Sequence, residues 1–531
     1  MKISPKQSST AAGAVKMPRT SGQWKPGYVY ISIAGVMLVV ALACINSLHN
    51  GFVIDDRDQI LSNPLLHDWS TLWRCFAHNS WWNGNRRALT DYYRPLQVCF
   101  YVLSFHTAGD SPARWHAIKL ALHLAAVVLA LCAARLLTKK DSAALLAALL
   151  FGILPAQAEV VSWISSVPES LVAIFELGAL CLLAGSRTTV SRIGAVLAYA
   201  VAIFGHESAI TFPAIVACWA WFFDSSSARD SGNSATRERA ARAAIVSAPY
   251  FVTAIVYLVA RTAVVGFAGF ETKAAVERPD VGQSLATIPA ALWAYVKMAA
   301  LVWTSGPIRR VPWVGSFASW AFIQPLALVC IVAAAFVIAS RLSARRDLYL
   351  FCGSWFVLSL IPAMDLYVIG MDLTSIVADR YYYVASFGVC VIAADLSATF
   401  AAGRPQRAWI LWPAAAVAVV GLTVPFWRAQ GDFRDDVTVL KAKIAVYPDA
   451  VEYHRLLAQE FEKRNDLRGA EREYKELTRL DPDKQLYHFY LALIERKLGN
   501  RKALSAEYMK SMPRDITPLL AQPQPSSTPV Q

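Results

Sequence analysis

The stretch most suggestive of chemistry is residues 51–61, with the sequence GFVIDDRDQIL. Asp55, Asp56 and Asp58 lie a few residues beyond an apolar run, 27–48, that is long enough to cross a bilayer. Acidic side chains are rarely this dense beside a membrane without a use. A carboxylate here could take a proton from an acceptor hydroxyl, or orient that hydroxyl. We therefore predict that Asp55 and Asp56 are catalytic.

Other polar residues expected on the same side of the membrane could bind a phosphate or the substrate. They come from separate parts of the chain and are Arg94, His116, Glu159, His206, Glu207 and Arg380. A guanidinium can meet phosphate oxygens with two parallel hydrogen bonds and stays charged at any relevant pH. The combination predicts a site that binds a lipid-linked phosphate and transfers the group it carries. Asp55 and Asp56 could also hold a divalent cation, although their spacing does not establish one.

Each of these residues also has a purely structural interpretation. Asp55 and Asp56 could cap a helix that lies in the membrane interface. Arg94 could reach the lipid headgroups. His206 and Glu207 could cap the helix that follows them. Pairing with neighbouring helices or free backbone groups would account for the rest, which are His116, Glu159 and Arg380.

The composition identifies a membrane protein. Of the 531 residues, 56% are hydrophobic and 17% are charged. The formal net charge is +13, but the Lys and Arg residues lie mainly in short loops beside apolar runs. That distribution is typical of membrane topology and of contact with anionic lipids. We therefore expect membrane lipids as partners and no nucleic acid.

Eleven transmembrane helices are predicted. Their ranges are 27–48, 115–137, 142–154, 168–185, 190–204, 209–223, 243–265, 320–340, 347–362, 381–400 and 408–427. Residues 285–319 are interpreted as a re-entrant or interfacial element, because a full crossing there would reverse every later assignment. The basic loops then place a tail, 1–26, in the cytoplasm and a first loop, 49–114, outside. A multi-pass protein of a bacterial inner membrane is expected.

The composition changes after residue 427 to a charged, helix-forming sequence that contains a repeat. Tyr453 aligns with Tyr487, and Glu473 with Glu507, at an offset of 34 residues. This period is typical of tetratricopeptide repeats. The fold class is therefore an all-α polytopic membrane protein, its membrane domain covering 27–427. A C-terminal tetratricopeptide-repeat domain of α-hairpins, 428–512, would lie in the periplasm, followed by a disordered tail, 513–531.

Six motifs occur in a characteristic order before the repeats. They are VIDDRDQIL, YYRPLQ, WHAIKLALH, LPAQAEVVSWISS, GHESAITFP and ADRYYYVASFG. In this order the chain resembles the transmembrane and tetratricopeptide-repeat O-mannosyltransferases and their bacterial relatives, which belong to the GT-C superfamily of glycosyltransferases. The resemblance implies a GT-C-like fold and a polyprenyl- or dolichyl-phosphate sugar donor. It also implies an acidic motif in the first outer loop, onto which Asp55 and Asp56 map.

The chain departs from the family pattern at three positions where relatives commonly have a cationic side chain. Relatives commonly have His where this chain has Leu154, Arg near Val167, and Lys where it has His206. These changes affect the contacts to the donor phosphate, so the resemblance does not assign the sugar.

Two functions are consistent with these features. The first is a glycosyltransferase that moves a sugar from a polyprenyl-phosphate donor to an acceptor outside the cytoplasm, namely a Ser or Thr hydroxyl of a protein held by the repeats. The second is a non-catalytic membrane scaffold that recruits partners through the repeats, which the lost cations would favour. A transporter is disfavoured because the polar residues gather at one face of the membrane and not at its midplane.

Overall fold

In the computed structural model the chain forms a bundle of helices. The structure describes residues 26–82, 92–224, 233–266, 281–300, 311–364, 377–402 and 408–500, together with Glu507 and Lys510. Every regular element in those ranges is helical, which confirms the all-α prediction for them. The predicted tail at 513–531 and nearly all of the tail at 1–26 lie outside the described residues.

The α-helices follow one another along the chain, and short 3₁₀ or π turns join several of them. They are α1 Pro26–Cys44, α2 Thr71–Arg74, α3 Pro95–Ala108, α4 Pro112–Thr138, α5 Asp141–Ile153, α6 Ala158–Ser162, α7 Val167–Gly185, α8 Thr189–Gly205, α9 Phe212–Trp219, α10 Asn233–Val265, α11 Val281–Ala300, α12 Trp320–Leu342, α13 Arg346–Leu360, α14 Asp379–Ala402, α15 Ala408–Gly431, α16 Asp436–Val446, α17 Val451–Lys463, α18 Leu467–Leu480 and α19 Gln485–Lys497.

Seven helices in the described part of the chain are long and apolar enough to cross a membrane. They are Tyr30–His49, Pro112–Thr138, Ile164–Gly185, Ala235–Val265, Trp320–Leu342, Arg346–Met364 and Asp379–Ala402. A bent pair, Asp141–Ile153 with Pro155–Ser162, would be an eighth. Each coincides with a predicted span, so the chain is a multi-pass membrane protein. The count of eleven crossings stays a prediction.

Three other segments predicted to lie in the membrane are also helical. Thr189–Gly205 is a shorter apolar helix. The predicted span at 209–223 consists of a 3₁₀ turn, helix α9 and a π turn. The predicted span at 408–427 lies within α15. Helix α11 covers part of the segment interpreted as re-entrant or interfacial and packs against α12; this interpretation also stays a prediction.

Small residues bring the membrane helices close together. Alanines of α4 and α5, such as Ala130, Ala134, Ala144 and Ala148, are buried in one continuous core. At Gly388 of α14, an added Cβ would overlap the carbonyl oxygen of Cys352 in α13. Helices in lipid associate largely through such close packing, because burying apolar surface gains little there.

The bend between α5 and α6 follows from a proline. Pro155 cannot continue the preceding helix, since it lacks an N–H group and its ring clashes with the turn before it. The chain turns by 55° at this point. The short helix α6 that follows carries the buried Glu159. A sharp local bend therefore places an acidic side chain inside the bundle.

The C-terminal helices α16 to α19 pack consecutively against one another. The 34-residue repeat recurs in their hydrogen bonds. The His454 ring donates from Nδ1 to Glu473 Oε2 at 2.6 Å, and His488 makes the same bond to Glu507 Oε2 at 2.6 Å. The assignment of these helices as tetratricopeptide repeats stays a prediction.

Candidate active site

A cavity opens between residues 51–61, which we call the acidic loop, and helices α3, α7, α13 and α14. It encloses about 200 Å³. Five of the eight predicted site residues contribute to its wall, namely Asp55, Arg94, His206, Glu207 and Arg380. These residues are far apart in the sequence, so the packing of the helices brings them together. The other three, Asp56, His116 and Glu159, do not line the cavity.

Arg94 is held against Glu207 by two parallel hydrogen bonds. Its Nε donates to Glu207 Oε2 at 2.7 Å, and a terminal nitrogen donates to Oε1. The guanidinium also lies over the ring of Tyr92, 4.1 Å from its centroid. Burial opposes ionisation of Glu207, but the charge of Arg94 outweighs it and lowers the pKa of this carboxyl to about 2. The pair is therefore charged at physiological pH.

Arg380, near the start of α14, is held by two carboxylates. Its Nη1 donates to Glu159 Oε1 at 2.7 Å, and its backbone N–H donates to Glu159 Oε2 at 2.8 Å. Its Nε lies 3.8 Å from Glu169 Oε1. The guanidinium also lies over the rings of Trp163 and Tyr381. Glu159 thus contributes indirectly, because it fixes the orientation of Arg380.

The two predicted catalytic acids have different surroundings. Asp55 lines the cavity, whereas the side chain of Asp56 is fully buried. Asp56 Oδ1 accepts hydrogen bonds from the backbone N–H and the hydroxyl of Ser165, at 2.7 and 2.5 Å, and Oδ2 accepts one from Val53 N–H at 3.0 Å. Burial raises the pKa of Asp56 to about 7. A catalytic role for Asp56 stays a prediction, and its contacts hold the acidic loop to the connection between α6 and α7.

The backbone turn directly before these two acids is unusual. Ile54, directly before Asp55, has a φ of +48°. This left-handed conformation is rare for a β-branched residue and costs roughly 1–2 kcal/mol. Surrounding contacts must therefore hold the turn in place.

The C-terminal helices supply such contacts. Ile54 N–H donates to Asp436 Oδ1 at 2.6 Å, and Arg57 Nε lies 2.6 Å from Asp436 Oδ2. Val53 is buried in the hydrophobic core of the C-terminal helices. The acidic loop is therefore held between the membrane helices and the C-terminal helices.

The two histidines predicted at the site, His206 and His116, make hydrogen-bonding contacts with the protein backbone. His206 Nδ1 accepts a hydrogen bond from Ser208 N–H at 3.0 Å, which caps the turn that follows. Burial, with the nearby charge of Arg94, lowers the pKa of His206 to about 3, so its imidazole is neutral at physiological pH. His116 is buried, and its Nε2 lies 3.3 Å from the carbonyl oxygen of Gly51.

Several residues of the cavity were not predicted from the sequence. Trp163, Ser165, Glu169 and Glu176 all contribute to its wall. A signal existed for the two glutamates, because ionisable residues inside an apolar membrane segment are costly and often functional. Trp163 and Ser165 lie within the motif LPAQAEVVSWISS, but neither carries a charge, so this cost does not single them out.

The divalent cation considered at Asp55 and Asp56 stays a prediction. Within the described ranges, no group of three or more His, Cys, Asp or Glu side chains is placed to hold a metal ion. Asp56 already accepts three hydrogen bonds from the protein.

Comparison with known sequences confirms the resemblance to O-mannosyltransferases. The chain is 23% identical over 514 residues to protein O-mannosyl-transferase TMTC3 from Mus musculus, covering 91% of this chain and 55% of that protein. It is 31% identical over 143 residues to protein O-mannosyl-transferase Tmtc1 from Drosophila melanogaster, covering 24% of this chain and 15% of that protein. The chain thus spans about half the length of the TMTC3 relative. No family model matches the chain.

Comparison with solved structures gives weaker likenesses. One is a crystal structure of the Archaeoglobus fulgidus oligosaccharyltransferase tethered to an acceptor peptide, with 14% identity and a TM-score of 0.40, covering 80% of this chain and 58% of that one. Another is the archaeal oligosaccharyltransferase AglB from the same organism with an inhibitory peptide and a dolichol-phosphate, with 12% identity and a TM-score of 0.36, covering 78% of this chain and 57% of that one.

Proposed function

We propose that this protein transfers a sugar from a polyprenyl-phosphate carrier to a Ser or Thr hydroxyl of an acceptor protein. The observation that carries the proposal is the convergence of Asp55, Arg94 and Arg380 on one cavity. Resemblance to proteins named O-mannosyl-transferases over 91% of the chain supports the class of reaction.

In the proposed reaction, Asp55 accepts the proton of the acceptor hydroxyl. The hydroxyl oxygen forms a bond to the anomeric carbon of the donor sugar, and the bond between that carbon and the phosphate oxygen breaks. The polyprenyl phosphate leaves as an anion. Arg94 and Arg380 stabilise the negative charge that develops on it.

The carboxylates around the arginines would have a positioning role. A guanidinium carries five N–H groups in a rigid plane, so a carboxylate that binds one edge fixes the direction of the others. Glu207 would act in this way on Arg94, and Glu159 on Arg380. Charged groups fixed in advance are more effective than mobile ones, because they need little reorganisation during the reaction.

The proposal includes an orientation and a role for the C-terminal helices. We place the cavity on the extracytoplasmic face of a bacterial inner membrane, with the N-terminus in the cytoplasm. Tetratricopeptide repeats in residues 428–512 would bind the acceptor protein. The contacts between Asp436 and the acidic loop bring these helices close to the proposed catalytic acid.

A non-catalytic scaffold is the second candidate, and the charge of the cavity favours it. Three carboxylates already engage the two arginines, and His206 is neutral at physiological pH. A phosphate would have to compete with these carboxylates for the guanidinium groups. In the scaffold function, partners would bind the C-terminal helices and the cavity would transfer nothing.

Mass spectrometry of periplasmic and surface proteins would separate the two candidates. A deletion strain would be complemented with the wild type, Asp55→Asn or Asp58→Asn. Asp58 lies in the same acidic loop but not on the cavity wall, so it provides a matched control. The proposal expects a hexose-sized mass on acceptor proteins with the wild type and Asp58→Asn, and its loss with Asp55→Asn. Equal protein masses in all strains, with the same partners recovered, would favour the scaffold.

A further inference from the structure

The inner wall of the cavity, which we define as Glu169, Glu176 and Ser359, carries polar atoms without partners. Glu169 Oε2 and Ser359 Oγ are buried and make no hydrogen bond with the described residues. The Glu176 side chain is only 2% exposed, and its carboxyl makes no hydrogen bond or ion pair within the same ranges. All three residues line the cavity. Buried polar groups are nearly always paired, so these three need an explanation.

The inner wall extends away from the arginines along one helix. Glu169 and Glu176 are seven residues apart on α7, so they lie on the same face at a separation of about 10 Å along the axis. Glu169 lies next to Arg380 through its other carboxylate oxygen. The cavity thus has a cationic end at Arg380 and an uncharged or acidic end at Glu176.

A structural role would give these groups partners within the protein. Asp395, which is also buried in the bundle, shows what such a role requires. Its carboxylate accepts hydrogen bonds from Lys140, Arg345 and Tyr349 at 3.0 to 3.2 Å. In the described part of the chain Glu169 has only Arg380 beside one carboxylate oxygen, its other oxygen and Ser359 Oγ have no partner, and all of these residues line the cavity. Its polar atoms are therefore placed to bind something that enters.

We infer that the inner wall binds the glycosyl group of the lipid-linked donor through its hydroxyl groups. The identity of the donor rests on the proposed function. A hydroxyl both donates and accepts, so it can satisfy a carboxyl oxygen and a serine hydroxyl alike. A phosphate has a negative charge that the glutamates repel, so it binds at the arginines. The inner wall therefore fixes which end of the donor enters the cavity first.

Binding measurements on the full chain in lipid nanodiscs test this inference. The ligands are polyprenyl phosphate, polyprenyl-phosphate mannose and polyprenyl-phosphate glucose. We expect the wild type to bind at least one sugar-bearing lipid more tightly than the bare lipid phosphate. Glu176→Leu and Ser359→Ala should each reduce that preference by about five- to tenfold, as expected for one or two lost hydrogen bonds, and leave binding of bare lipid phosphate unchanged.

Ser162→Ala is the matched control. Ser162 Oγ is also buried without a partner in the described residues, but Ser162 does not line the cavity. This variant should keep the preference of the wild type. A wild type without any preference would overturn the inference, as would Glu176→Leu and Ser359→Ala variants that bind all three lipids as the wild type does.

Failure of the inference and failure of the proposed function give different results. If the chain prefers a sugar-bearing lipid through Glu176 and Ser359 but modifies no protein, the inner wall stands and the transferase proposal falls. If the chain transfers sugar with unchanged lipid affinities in both variants, the transferase stands and the inference falls. A wild type that binds none of the lipids overturns both.

Discussion

Helix α14 carries two ion clusters with buried carboxylates, one at its start and one in its second half. Arg380 lies at its start beside Glu159 and Glu169. Asp395 lies 15 residues later, roughly 22 Å along the axis, beside Lys140 and Arg345. Both clusters place charge inside a membrane domain, where charge is costly.

The two clusters differ in how completely their groups are paired. Asp395 has two cations and the Tyr349 hydroxyl around one carboxylate. At the start of the helix, carboxylates outnumber cations, Glu169 Oε2 has no partner in the described residues, and a cavity adjoins the cluster. Burial of charge alone therefore does not distinguish a candidate site from a structural ion pair. What distinguishes a candidate site is the presence of unpaired polar groups that face a cavity.

The largest effect on transfer should come from Arg380→Gln. The substitution removes a positive charge that would stabilise the departing phosphate, so transfer should fall by about 10²- to 10³-fold. The measurement is transfer of hexose to acceptor protein, per amount of folded protein. Arg346→Gln is the control, because Arg346 is exposed at the other end of the bundle and pairs with Asp347. Transfer within a factor of about two of the wild type would exclude the phosphate-binding role.

Asp395→Asn should lower stability and leave transfer unchanged. It leaves Lys140 and Arg345 without their shared carboxylate, so the free energy of unfolding should fall by about 2–3 kcal/mol. Transfer per folded molecule should stay at the level of the wild type. Thermal unfolding in detergent, together with transfer assays below the transition, checks both points. Lost transfer with unchanged thermal stability would break the comparison between the two clusters.

Asp436→Asn should have an intermediate effect, through the acidic loop. Loss of the ion pair to Arg57 weakens the contacts that hold the left-handed turn at Ile54. We expect transfer to fall by about tenfold, or about 1.4 kcal/mol, and hydrogen exchange to increase in residues 51–61. Glu476→Gln removes a more exposed ion pair in the same C-terminal helices and should change neither quantity. Unchanged exchange in the loop would show that Asp436 does not hold it.

The smallest effect should be a pH dependence of the C-terminal helices. Burial disfavours the charged form of His454, but its hydrogen bond to Glu473 outweighs this and raises the pKa above 6.5. The charged imidazole therefore stabilises the fold fully below pH 6.5, and the contribution is lost as the pH rises through the folded-state pKa. The loss should be under about 1 kcal/mol, because Glu473 is partly exposed and solvent screens the pair.

Hydrogen exchange of residues 451–480 at pH 6 and pH 8 measures this dependence. His454→Gln should reduce the difference between the two pH values. His67→Gln, at an exposed position far from these helices in the sequence, should leave it unchanged. A difference that persists in full in His454→Gln would assign the titration to another group.

The sequence indicates which residues lie near one another at the cavity, but it does not indicate which side chains they contact. Alternation of the spans across the membrane put Asp55, Arg94, His206, Glu207 and Arg380 on one side, and the structure brings them to one cavity. The grouping follows from the positions of the membrane helices, which long apolar runs and the charges between them indicate. Periodicity alone does not specify which partner each side chain finds.

The remaining features of the site depend on single residues and on distant contacts. Asp55 lines the cavity whereas Asp56 is buried, and no pattern in the acidic loop predicts this difference or the left-handed turn at Ile54. Glu176 lies within a segment that the apolar pattern identifies only as a membrane span. Asp436 is 382 residues from Ile54 in the chain, so their contact arises only in the tertiary structure.

Val53 and Ile54 pack against the C-terminal helices, and this contact limits which segments can change independently during evolution. The acidic loop and these helices share one hydrophobic core, so they cannot be exchanged independently between relatives. A chimera that took helices α16 to α19 from another protein would need the matching loop, including a partner for Asp436. Changes in the two segments should therefore be inherited together, although almost the whole membrane domain separates them in the chain.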